Sequence, residues 1–82
     1  NSYYIEAYIV AVADKIHNLT DILKDYDRFG DEIWHRFNTS EQDILWYYRE
    51  VFYLIKNEPV PIELKRHFEN LVEDLTIITL NL

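Results

Sequence analysis

The chain has no cysteine and no methionine, one glycine, two prolines, and eight basic residues against fifteen acidic ones. Each shortage closes a class of function. Without cysteine there is no disulfide framework and no thiolate metal site, and the usage fits a reducing cytoplasm, where the chain is expected to reside. With a formal charge of -7 there is no cationic stripe to follow a phosphate backbone, so no nucleic-acid partner is expected. No apolar run approaches the roughly 20 residues that cross a bilayer, and no basic segment followed by an apolar stretch marks a signal peptide, so no membrane partner is expected either. There is no Gly-rich phosphate loop, no G-x-S-x-G elbow and no cysteine nucleophile, which leaves P-loop, hydrolase-triad and thiol chemistry without support.

What the chain does have is apolar and aromatic mass: 49% hydrophobic and 16% aromatic residues in a sequence of 82, which argues for a folded body with room for one core. From Tyr4 to Tyr26 the residues Ile5, Tyr8, Ile9, Val12, Ile16, Leu19, Leu23 and Tyr26 recur every three or four positions, which predicts one long helix. Gly30 should end it near Arg28 or Phe29. Asp31 is expected to cap a brief helix through Phe37, with Ile33, Trp34 and Phe37 turned inward. Asn38, Thr39 and Ser40 then supply a stop and a restart, with Ser40 as N-cap and Glu41 and Asp43 in the first turn of a helix running to about Lys56. Pro59 and Pro61 end that segment, and Pro61 opens a last helix to about Asp74, with Ile62, Leu64, Phe68, Leu71, Val72 and Leu75 at helical spacing. The run Leu75 to Leu80 reads equally as a helix end or a short strand.

The expected architecture is therefore all-α: residues 1–82 as a single helical unit of about four helices. Ile44 to Tyr48 and Val51 to Ile55 are apolar or aromatic nearly all the way round, more than three other helices are expected to cover. That excess predicts an interface, either with an upstream helical half or with a symmetry partner. The lack of methionine and the start at Asn1 within a helical pattern suggest a preceding segment, or simply a trimmed chain.

On the first helix Asp14, His17, Asn18 and Asp21 stand at i, i+3, i+4 and i+7 and share one polar face, opposite the stripe containing Ile5 and Val12. By composition alone such a face is a solvated surface with polar pairs. His35, beside Trp34 and Arg36, and His67, after Lys65 and Arg66, read as packing or surface residues. Trp46, Tyr47 and Tyr48 read as core or interface before they read as a base-stacking platform.

The tract Ala13-Asp14-Lys15-Ile16-His17-Asn18 resembles the last motif of the HD-domain phosphohydrolases, in particular the branch similar to the hydrolase domain of Rel/SpoT-type guanosine polyphosphate enzymes. Trp34, Arg36-Phe37-Asn38 and Trp46-Tyr47-Tyr48-Arg49 resemble the segments that follow it, so the likeness covers roughly residues 7–56. The resemblance implies a partial HD-type bundle, the C-terminal portion of such a domain, in which Asp14 is a ligand to a divalent metal, most commonly manganese. Asn18 then helps orient the nucleotide substrate or the water network beside the metal, Lys15 and His17 occupy motif positions without having to enter the site, and no residue of this chain is assigned as catalytic. In that family the metal also takes an early histidine and an adjacent His-Asp pair, and this chain contains no His-Asp dipeptide. Three of four ligands would lie outside these residues, and the chain by itself is expected to be inactive, its metal bound only in the complete domain. The competing expectation, from a different class, is a non-catalytic helical module that pairs through Trp46 to Ile55.

Overall fold

A computed structural model describes residues 2–37 and 39–80, with side chains from Tyr4 onward. Three α-helices carry the chain: α1 (Ser2–Phe29), α2 (Glu41–Ile55) and α3 (Ile62–Leu80), with a 3-10 helix at Gly30–Arg36 between the first two. There is no strand among the described residues. The expected set of about four helices is thus three α-helices and one tight 3-10 turn, folded as one all-helical body.

α1 has 28 residues, which at a rise of about 1.5 Å each gives about 42 Å. That length sets the long axis of the molecule, 43 Å against 20 and 19 Å across. From Tyr8 on, its apolar stripe follows the predicted spacing: Val12 and Leu19 are fully buried, and Tyr8, Ile9, Ile16, Leu23 and Tyr26 pack half-buried against the core, joined by Ile22 but not by Ile5. Gly30 ends the helix with φ of 67°, a left-handed conformation that side-chain-bearing residues adopt at a cost. The guanidinium groups of Arg28 and Arg36 both lie over the Phe29 ring, at 5.2 and 4.9 Å, and close this corner.

The 3-10 helix turns Ile33 and Trp34 into the core, with the Trp34 ring 5.9 Å from Tyr26 and 6.2 Å from Phe37. Asp31 does not cap it. The boundary residue is Phe29, with no side-chain cap, and Asp31 sits inside the first turn. An N-cap must itself be extended, and Asp31 is already inside the 3-10 helix that the left-handed Gly30 opens. Asn38 lies outside the described residues. Ser40 does cap α2: its Oγ accepts the Asp43 backbone N–H at 3.2 Å.

α3 is the common partner, since both α1 and α2 pack on it while the 3-10 helix folds back on α1. Phe68 and Leu75 are fully buried along its inner face, and Val72 nearly so. The ambiguous terminal run is helical to Leu80, well past Asp74. Its threonines return their hydroxyls to the helix, Thr76 Oγ1 donating to the Val72 carbonyl at 2.8 Å and Thr79 Oγ1 to the Thr76 carbonyl at 3.0 Å. Burial of Leu75 and Thr79 outweighs the modest helix propensity of the β-branched residues here.

Candidate functional site

The polar face of α1 exists as the spacing predicts. One turn apart, Asn18 Nδ2 donates to Asp14 Oδ2 at 3.3 Å, and His17 Nε2 lies 3.4 Å from Asp21 Oδ2. All four side chains are exposed; that of Asp14 keeps 60% of its accessible surface. The buried stripe on the opposite side orients them, because Val12 and Leu19 fix the rotation of the helix about its axis.

Lys15 adds what the spacing does not show. Its ammonium stands 3.7 Å from Asp14 Oδ2 and 5.5 Å from the centre of the Tyr47 ring, bridging the polar face of α1 to α2. Hydrogen bonding to Tyr47 raises the Lys15 pKa above its usual range; partial burial opposes this, and charge interactions with Tyr47 and Asp14 add to it. Tyr48 also holds its proton more tightly than usual, because burial disfavours the phenolate. Asp14 is therefore held from two sides, by an amide and an ammonium. Both contacts fall on Oδ2, and Oδ1 takes no partner among the described residues.

That arrangement suits one hard oxygen donor to a divalent cation, positioned by Asn18. It does not make a metal centre unaided. Among the described residues no three of His, Asp and Glu come together to hold a metal. His35 and His67 are exposed on the 3-10 helix and α3 and join no such group.

Beside this face the structure forms a groove of about 440 Å³ between α1, the turn after the 3-10 helix, and α2. Its lining is mainly apolar, with Ile22, Phe37, Ile44 and the aromatic run Trp46, Tyr47 and Tyr48, and it carries one polar pair, Thr39 Oγ1 donating to Asp43 Oδ2 at 2.8 Å. The aromatic run divides by function of position. Tyr48 is core, edge-on to Phe68 at 6.4 Å, whereas Trp46 and Tyr47 face solvent. Helical periodicity around an all-apolar segment cannot make that division, which depends on where α3 lies.

Four large side chains of α2 remain uncovered: Trp46, Tyr47, Tyr53 and Leu54. The remaining elements do not suffice to bury this helix, as its composition implies. No described helix is long and apolar enough to cross a membrane. No family model matches the chain, and no curated protein matches it.

Proposed function

We propose that this chain is the C-terminal helical part of an HD-domain phosphohydrolase, similar to the Rel/SpoT-type guanosine polyphosphate hydrolases and working in the cytoplasm. The observation that supports it is the Asp14–Asn18 pair, an acid held by an amide on an exposed helix face, within the tract that resembles the family's last motif. In this reading Asp14 donates one oxygen to a divalent metal, manganese by the resemblance, with its other ligands supplied from outside these residues. Asn18 holds the carboxylate in place and lies where a nucleotide phosphate would approach. Lys15 adds positive charge beside an anionic substrate, and its tie to Tyr47 fixes that charge against α2. The bound metal would supply an activated water and screen the phosphate charge.

The test uses the chain joined to its upstream half. Asp14→Ala should lower manganese-dependent release of pyrophosphate from a guanosine polyphosphate by about a thousandfold or more, an effect expected of a ligand rather than a surface acid. Undiminished turnover in that variant rejects the assignment.

A second reading is favoured by the exposed aromatic face of α2: a helical module that pairs with another protein surface through Trp46, Tyr53 and Leu54. The two are compatible, since they use opposite parts of the molecule's chemistry, one polar on α1 and one apolar on α2.

A further inference from the structure

We propose that Lys15 is a built-in counter-ion that competes with a divalent cation for Asp14, and that Tyr47 of α2 is the positioning residue that holds it there. Its bearing on catalysis rests on the metal-site reading above, which it deepens by naming what the site accepts.

Helix geometry alone does not produce the Lys15 contact. Side chains four apart stand over one another, which gives the Asp14–Asn18 pair, whereas adjacent side chains point about 100° apart and do not face each other. Lys15 nonetheless brings its ammonium to 3.7 Å from Asp14 Oδ2, so a group outside α1 must draw it across. Tyr47 stands in that place. Its ring centre lies 5.5 Å from the same ammonium, and its phenol is the hydrogen-bonding partner of Lys15. Only 28% of the Lys15 side chain is accessible against 60% for Asp14, so most of this lysine lies against protein instead of moving free in solvent.

The ion pair is loose enough to exchange. At 3.7 Å the ammonium is outside hydrogen-bond range of the carboxylate, so it neutralises charge without a directed bond. Asn18 Nδ2 donates to the same Oδ2, and Oδ1 takes no partner among the described residues. A divalent cation taken up by Oδ1 would enter the field of the ammonium and be repelled, while a phosphate arriving beside it would be attracted. Lys15 thereby lowers the affinity of Asp14 for a bare cation and favours a cation that comes with an anionic substrate. Tyr47 sets the strength of that preference, because without its phenol the lysine has no reason to leave solvent for its helix neighbour.

Manganese titration of the isotope-labelled chain, followed by paramagnetic broadening of its backbone amides, tests this on the chain as it stands, with melting curves confirming the fold of every variant. Lys15→Met and Tyr47→Phe should each raise broadening at the Asp14 amide about threefold or more at equal manganese concentration, measured against the exposed Asp74 of α3. Lys15→Arg keeps the charge and should stay within about twofold of wild type. Since Tyr47 acts through Lys15, the double variant Lys15→Met with Tyr47→Phe should match Lys15→Met alone. Broadening at Asp14 that ignores Lys15→Met overturns the counter-ion. Additive effects in the double variant, or a Tyr47→Phe chain that behaves as wild type, overturn the role of Tyr47. None of these readouts involves hydrolysis, so the metal-site reading fails separately, on undiminished turnover by Asp14→Ala.

Discussion

Tyr48 and Lys15 both hold their protons more tightly in the folded chain than out of it. For Tyr48 the main cause is burial, with the neighbouring Tyr47 adding to it and Lys15 opposing; for Lys15 it is hydrogen bonding to Tyr47. A raised pKa in the folded state means a contribution to stability that is complete below the unfolded value and lost as pH rises through the folded one. Both groups therefore act in the same direction, and only in alkali. Thermal melting should hold steady through neutral pH and fall once pH passes the ordinary tyrosine and lysine range, about 10 to 10.4. Tyr48→Phe removes the buried phenol and should flatten that fall. An unchanged alkaline slope in the variant would assign the loss to other groups. The same residues show where sequence reasoning stops. The Asp14–Asn18 pair was legible because a helix places positions four apart together, while the Lys15 bridge to Tyr47 depends on how α2 comes to lie beside α1, which no local spacing encodes.

The elements differ in how far local chemistry determines them. α2 begins where a single hydroxyl says it should: Ser40 Oγ takes the Asp43 N–H, and Glu41 and Asp43 place negative charge in the first turn. Ser40→Ala should cost about 1 kcal/mol of stability in a denaturant titration, and Ser40→Asp should retain most of it. Equal losses in both variants would show that the cap contributes through packing instead. Such caps are readable because their partners lie three residues away. The brief helix after Gly30 was readable but its start was not, since Asp31 carries the cap residue type yet lies inside the 3-10 helix that the left-handed Gly30 opens. Nor was the final turn of α3. Its β-branched residues leave helix and strand nearly balanced locally, and the balance is tipped by Leu75 and Thr79 meeting the core.

At the scale of the whole molecule, α3 is the helix on which both α1 and α2 pack most extensively. α1 and α2 both pack on it, and residues of all three helices form one core. Phe68 is the centre of that junction: fully buried, with the rings of Tyr48 and Phe52 at 6.4 and 6.2 Å. Removing a buried phenylalanine ring typically costs about 3 to 5 kcal/mol, and a chain of this length has total stability of only about 4 to 12 kcal/mol. Phe68→Ala should therefore consume a large share of the folding free energy, and both outer helices should melt together at a much lower temperature. Asp14→Ala, on the solvated face of α1, removes one exposed hydrogen bond and one exposed ion pair and should shift melting by no more than about a degree or two. The contrast follows from burial, because Phe68 lies at the centre of the core on α3 while Asp14 stands on the solvated face of α1. If Phe68→Ala lowered only the helicity of α2 and left α1 folded, α3 would not be the common support, and the chain would behave as two loosely joined helical pieces.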